Sequence, residues 1–183
     1  MQYAVIGAAI VIAVLWWIYV SNKFKTLMVK VDETISGIDV ALTKRYDTLV
    51  KMLDTTKAYA KHEADTFDHI VKLRKDMTVS EKNNLSAQLD QVQSKISLIA
   101  ENYPELRSSE NFKQLQIAIA DVEEHLQASR RLHNANVSLF NQMLVTFPDS
   151  IVGNSMHLSK KDFFVAEESK KKDVAMQFDS VKG

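Results

Sequence analysis

The histidines are the first residues whose types and spacing could support chemistry. His62, Asp65 and His69 are spaced by three and four residues. On a helix this spacing places all three on one face, where they could hold a metal ion through nitrogen and oxygen ligands. The zinc-protease pattern HExxH is not completed, because Thr66 stands where the second histidine belongs. Mixed His and Asp side chains are also ordinary on the solvated face of a helix, and we favour that interpretation.

Other arrangements used in catalysis or nucleic-acid binding are missing from the sequence. The chain has no cysteine, which excludes disulfides, thiolate metal sites and cysteine nucleophiles. It has no Gly-rich phosphate loop and no serine nucleophile elbow. Lys plus Arg and Asp plus Glu each number 23, and nucleic-acid binders normally carry a basic excess. We therefore expect neither an enzyme nor a nucleic-acid-binding protein, and we expect no cofactor.

The elements that position these residues are predicted to be helical. Only four glycines and two prolines occur in 183 residues, fewer than sheets and turn-rich folds need. The segment Tyr3–Val20 carries no charge, and its 18 residues would span about 27 Å as a helix, close to the thickness of a bilayer core. No Lys or Arg precedes this segment, which argues against a cleaved signal peptide. Interfacial aromatic residues are predicted to anchor the segment in a membrane: Tyr3, Trp16, Trp17 and Tyr19.

Beyond the apolar segment, apolar residues recur every three or four positions from Leu27 to Ile70, which predicts an amphipathic helix. No proline separates this helix from the apolar segment, so the two are expected to form one rod. A break near residues 61–63 is left open. Thr78 and Glu81 predict a capping box that opens a second helix, which Pro104 ends.

A third long helix is predicted to begin at Ser108 or Ser109 and to bury a stripe from Phe112 to Phe147. His133 lies on this stripe and is interpreted as a core residue or a donor between helices. The fold class is therefore all-α, with an N-terminal transmembrane helix and an up-and-down antiparallel bundle of three to four long helices. The predicted domains are the anchor at 1–21, the bundle at 22–153 and a partly disordered polar tail at 154–183. Phe163 and Phe164 could dock that tail on the bundle.

Two segments resemble the LemA family of bacterial membrane-anchored proteins. Residues 38–47 read IDVALTKRYD and continue through Tyr59, and residues 103–112 read YPELRSSENF, followed at the family's spacing by Asn141 and Phe147-Pro148. Val50 and Ala58 depart from the family, which has proline and glycine at these positions. The residues that carry the family motif are Asp39, Arg45, Tyr46, Asp47, Tyr59, Tyr103, Pro104, Glu110, Asn111, Phe112, Asn141, Phe147 and Pro148.

The motif residues are interpreted as structural. Asp39, Arg45 and Tyr46 are expected to make polar contacts across the bundle, which would fix how the helices pack. Ion pairs confined to one helix face and a ligand site are the alternatives. The expected partners of these residues are Glu110, Asn111 or Asn141.

The resemblance implies a single-pass protein with its N-terminus outside, but it implies no activity. Lys23, Lys25 and Lys30 follow the apolar segment, and the positive-inside rule places them in the cytoplasm. We therefore expect a bacterial inner (cytoplasmic) membrane protein whose bundle lies in the cytoplasm. The expected partners are the lipid bilayer and other proteins, including further copies of the chain. The leading hypothesis is a membrane-anchored interaction or scaffold protein; the alternatives are a sensor or ligand-binding module and a self-assembling membrane-organising protein.

Overall fold

The computed structural model describes residues 1–60 and 77–164, and within these ranges the chain is helical with no strand. This confirms the all-α prediction. The helices are α1 at Gln2–Lys57, α2 at Val79–Asn102, α3 at Pro104–Ser108, α4 at Glu110–Val145 and α5 at Asp149–Ser155.

Helix α1 is one uninterrupted rod that carries both the apolar segment and the first helix of the bundle. Its 56 residues correspond to about 84 Å at 1.5 Å per residue. Its apolar part is long and apolar enough to cross a membrane, and only 6% of that 18-residue stretch is buried within the protein. The prediction of one rod is confirmed. The helix ends at Lys57, ahead of the break considered at residues 61–63, a position that lies outside the described residues.

Helices α1 and α4 run antiparallel. Asn111 near the start of α4 donates to Thr55 near the end of α1. His133, farther along α4, lies 3.2 Å from the hydroxyl of Thr34. Later residues of α4 thus contact earlier residues of α1. This register decides which polar side chains can meet inside the bundle.

Helix α2 runs in the same direction as α1 and antiparallel to α4. Asp39 of α1 pairs with Lys82 of α2, and Arg45, farther along α1, pairs with Asp90, farther along α2. Arg45 also contacts Glu123 on α4. Among the described helices, the three long ones, α1, α2 and α4, therefore surround one interior, with α4 pointing opposite to the other two.

The helix boundaries follow from local capping. The side chain of Thr78 accepts from the backbone N–H of Glu81, and the Glu81 carboxylate accepts from the backbone N–H of Thr78, so the predicted capping box is confirmed. Ser109 caps α4. Helix α4 ends at Val145, two residues before Phe147, and Phe147 is 77% exposed. The prediction that the buried stripe extends to Phe147 is therefore wrong.

The core has two parts. The larger one lies between α1, α2 and α4, and Ile38, Leu42, Leu89 and Phe112 are fully buried or nearly so within it. The smaller one joins the junction of the apolar segment to the ends of α4 and α5, through buried residues Val20, Phe24, Leu27, Phe140, Met143, Leu144 and Val152.

Helix α5 packs very closely against this smaller core. The rings of Phe24 and Phe140 meet edge to face with centroids 5.8 Å apart. A Cβ added at Gly153 would lie 2.8 Å from the side chain of Leu144 and 3.2 Å from the ring of Phe24. A larger residue at this position would require the Leu144 side chain of α4 to shift and the Phe24 ring of α1 to move slightly. The apolar segment and the bundle are therefore held together by side-chain packing as well as by the α1 backbone.

Residues 158–164 have no regular secondary structure and form a C-terminal strap that lies against the bundle. Phe164 is 4% exposed and packs in the larger core, so its predicted docking is confirmed, whereas Phe163 is 44% exposed. The side-chain amide of Asn134 donates to the backbone oxygen of Phe164 and accepts from its N–H. Asn141 makes the same pair of hydrogen bonds with the backbone of Lys161. The first part of the predicted polar tail is thus packed on the bundle.

Candidate functional site

The most unusual buried group is Arg45, at the centre of the family-like motif. Its side chain is 2% exposed, and it is the largest of the fully buried side chains in the described ranges. It lies on the same face of α1 as Leu42 and Leu49, because residues three and four apart share a helix face. Rotating α1 to bring Arg45 into solvent would therefore also expose Leu42 and Leu49.

The Arg45 guanidinium joins all three long helices. One terminal nitrogen, Nη1, donates to the Ser86 hydroxyl at 3.3 Å, and the other, Nη2, donates to the Gln93 side-chain oxygen at 3.0 Å. Nη2 also pairs with the carboxylate of Asp90 on α2 and lies 3.3 Å from that of Glu123 on α4. A planar guanidinium suits this role because it presents several donors in fixed directions. We call Arg45, Ser86, Asp90, Gln93 and Glu123 the arginine cluster.

The cluster contains one cation and two carboxylates. The single buried cation faces two carboxylates, and both are partly solvated, with Asp90 23% and Glu123 27% exposed. Gln127 donates to the other oxygen of Glu123 at 2.9 Å and holds that carboxylate in place. Buried charges require such partners, because an unpaired charge in the interior is very costly. The arrangement fixes the lateral positions of α2 and α4 around α1.

An open polar cavity of about 510 Å³ lies beside the cluster. Its walls carry three carboxylates against the one guanidinium, together with two hydroxyls and one amide. Within the described ranges, no group of three His, Cys, Asp or Glu residues is placed to hold a metal ion. The lining residues are Arg45, Asp90, Gln93, Ser94, Ser97, Leu98, Glu101 and Glu123.

A second ion pair lies nearby on the same two helices. The ammonium of Lys82 contacts the two oxygens of Asp39 at 2.6 and 2.9 Å. Lys82 is only 4% exposed, whereas Asp39 is 32% exposed. The lysine therefore reaches outward from α2 along α1 to a carboxylate at the surface, which adds a second fixed point between these helices.

His133 connects α4, α1 and the strap. Its Nδ1 lies 3.2 Å from the Thr34 hydroxyl and its Nε2 lies 3.3 Å from the backbone oxygen of Asp162. Phe164 packs edge to face on the ring. Burial lowers the pKa of His133 below its ordinary value, because desolvation disfavours the imidazolium; hydrogen bonding to backbone oxygens opposes the shift, and the charge of Lys82 adds to it. The interpretation of His133 as a core residue that bonds between helices is confirmed.

The structure gives Arg45 and Asp39 different partners from those predicted. Arg45 does cross the bundle, but its partners lie elsewhere on α2 and α4. The antiparallel register brings Glu123 opposite Arg45, while Asn111 meets Thr55 and Asn141 meets Lys161 of the strap. The predicted pairing with Glu110, Asn111 or Asn141 is therefore wrong for Arg45, because those residues lie at other heights along the rod.

The remaining motif residues include buried core residues, prolines next to helix starts and exposed residues. Phe112 is fully buried, and Tyr46 and Tyr103 are half-buried against the larger core. Pro104 opens α3, and Pro148 directly precedes α5. Asp47 and Glu110 are exposed, and Tyr59 is 40% exposed. His62, Asp65 and His69 lie outside the described residues.

The aromatic residues of the predicted anchor are mostly exposed, as expected for side chains that face lipid. Tyr3 is 90%, Tyr19 64% and Trp17 39% exposed, and Trp16 is half-buried against the smaller core.

The sequence interpretation missed the α2 side of the arginine cluster. One signal was available: polar residues at helical spacing flank the apolar stripe of α2 and share its inward side. These residues are Lys82, Ser86, Asp90 and Gln93.

The comparisons with known proteins agree with the motif. The LemA family model matches residues 34–178. Protein LemA from Metamycoplasma hominis is 25% identical over 170 residues, which cover 89% of this chain and 78% of that protein. The family match includes the α1 motif, the arginine cluster and the strap, and it begins within α1 at residue 34. The chain belongs to the LemA family.

Proposed function

We propose that this protein is a membrane-anchored helical scaffold that presents the outer faces of its bundle to partner proteins. The observation that carries the proposal is the continuity of α1 from the apolar segment into the bundle. A rod without a break, packed against α5 at its junction, keeps the bundle at a fixed height and tilt relative to the membrane. A flexible tether would not do this. The arginine cluster then serves as an internal brace rather than a reaction centre.

The face between α1 and α4 is the surface that suits a partner helix. Leu132 and Leu139 of α4 are 57% and 52% exposed and lie seven residues apart, so they share one side of the helix. Beside Leu132 runs a groove of about 370 Å³ that reaches Gly37 of α1. Apolar side chains beside a groove are the usual elements of helix-in-groove binding. A partner helix, including one from a second copy of the chain, would lie along this face.

Site-specific photo-cross-linking in intact membranes tests the scaffold. A photoreactive residue at Leu132 or Leu139 should give discrete products with one partner or with a second copy. Ser138, exposed on another side of α4, is the matched control position and should give none of these products. Only monomers at all three positions would refute the proposal.

For location we propose the bacterial inner (cytoplasmic) membrane, with a single pass, the N-terminus outside and the bundle in the cytoplasm. Lys23, Lys25 and Lys30 support this orientation because cytoplasmic flanks carry the excess of Lys and Arg. Protease added to spheroplasts should leave the bundle intact, and protease added after lysis should digest it. Cleavage of the bundle in intact spheroplasts would reverse the orientation.

A ligand-binding module is the second candidate, and the polar cavity beside Arg45 favours it. Its acidic excess suits a small cationic or hydrogen-bonding molecule. Native mass spectrometry of the full-length protein released from membranes would detect a bound molecule. A mass equal to that of the bare chain, together with specific cross-links, would favour the scaffold.

Rings or filaments of purified protein in electron micrographs would instead indicate membrane organisation by self-assembly.

A further inference from the structure

We propose that the corner between α4 and α5, residues 145–151, is a second membrane contact, with Phe147 inserted into the headgroup region of the bilayer that α1 crosses. This inference depends on the membrane anchor of the proposed function but not on the scaffold role. The contact would be made by side chains that are exposed on the bundle.

The corner is strongly apolar on its exposed side. Phe147 is 77% exposed, Val145 63% and Ile151 50%. Three large apolar side chains within seven residues form a patch of the kind that marks a binding surface when it is contiguous. The smaller core lies directly beneath, yet none of these three side chains turns into it.

The corner lies beside the C-terminal end of the apolar segment of α1. Tyr19 lines one groove of about 610 Å³ with Thr146 and Asp149 of the corner. Val152 of α5 packs in the same cluster as Val20, and Trp16 packs against that cluster. Trp16 and Tyr19 lie at the end of the apolar segment, where amphipathic rings favour the boundary between lipid and water. The corner therefore lies at the level of the headgroups.

The groove beside the corner carries more basic than acidic side chains. Lys23 and Lys30 line the same groove, and Asp149 is the one acidic residue among its lining residues. A basic groove at headgroup level complements the phosphates of a bilayer, and anionic lipids would strengthen the attraction. A lipid surface is thus the partner that fits both the apolar side chains of the corner and the lysines of the adjoining groove.

The natural absence of cysteine makes a direct test possible. Single cysteines would replace Phe147, Val40 or Ile10 in the full-length chain, and each would carry a nitroxide spin label. Val40 is 66% exposed on the bundle and Ile10 is 59% exposed in the apolar segment, so they are matched water-facing and lipid-facing controls. The labelled proteins would be reconstituted in vesicles of phosphatidylethanolamine and phosphatidylglycerol. Collision with oxygen, which concentrates in lipid, would be compared with collision with a water-soluble nickel chelate.

We expect the ratio of oxygen to nickel accessibility at position 147 to be several-fold higher than at position 40 and to approach that at position 10. A label at 147 that matches position 40, while position 10 reports lipid, would overturn this inference and leave the anchor intact. A label at 147 shielded from both reagents would also overturn it, because a protein would then cover the corner. If position 10 itself reports water, the membrane anchor fails, and this inference fails with it.

Discussion

Replacing Arg45 with alanine is the sharpest test of the arginine cluster as a structural brace. The substitution removes hydrogen bonds to Ser86 and Gln93 and the counter-charge for Asp90 and Glu123. Removing one partner of a buried ion pair typically costs about 3–5 kcal/mol. Both carboxylates are roughly a quarter exposed, so water can replace part of the lost interaction. We therefore expect a loss near the lower end of that range, about 3 kcal/mol.

The measurement is chemical unfolding of the full-length protein in a mild detergent, followed by far-UV circular dichroism. Lys44→Ala is the matched control, because it removes a cation from the exposed neighbouring position and should change stability by less than about 0.5 kcal/mol. Arg45→Lys should lie between the two, since an ammonium keeps the charge but cannot reach all four partners at once.

The interaction energy between Arg45 and Asp90, measured by a double-mutant cycle, distinguishes an ion pair from simple packing of the Arg45 side chain. Because Arg45 pairs with Asp90, Asp90→Asn should destabilise the wild type more than it destabilises the Arg45→Ala variant, with an interaction energy of about 1 kcal/mol or more. A loss with Arg45→Ala no larger than that with Lys44→Ala, or additive effects of Arg45→Ala and Asp90→Asn, would refute the reasoning. In that case the charges would be solvated in the folded state.

Three further predictions concern other parts of the bundle. The lowered pKa of His133 means that the unfolded chain binds a proton first, so stability should fall as the pH drops below about 6.5, and His133→Gln should weaken this dependence in unfolding experiments repeated across that range. Asn141→Ala removes two hydrogen bonds to the strap, at 2.8 and 2.9 Å, and should speed amide hydrogen exchange at Lys161 while leaving α2 unchanged; equal protection in both proteins would show that Asn141 does not hold the strap. Thr78→Ala should cost about 1 kcal/mol by removing the N-cap of α2, and Ser80→Ala, in the same helical turn, should cost far less in the same assay.

Local patterns in the sequence were sufficient for several features. Helix α1 as one rod, the Thr78 capping box and the end of α2 before Pro104 depend on residues close together in the chain. Capping and proline geometry involve neighbours within a few positions, so the sequence contains all the information that they need. The burial of His133 followed in the same way from its place on an apolar stripe.

The sequence by itself thus determined the long helices, most of their buried positions and the apolar segment, because each depends on the period of a single helix. Tertiary structure alone decided which helices meet and at what height. Arg45 pairs with Asp90 and Glu123, residues 45 and 78 positions away along the chain, because α2 runs with α1 and α4 runs against it. Phe147 continues the apolar spacing of α4, yet it is exposed because α4 ends at Val145. Periodicity specifies the face of a helix, whereas the direction and register of its neighbours depend on how three helices share one core.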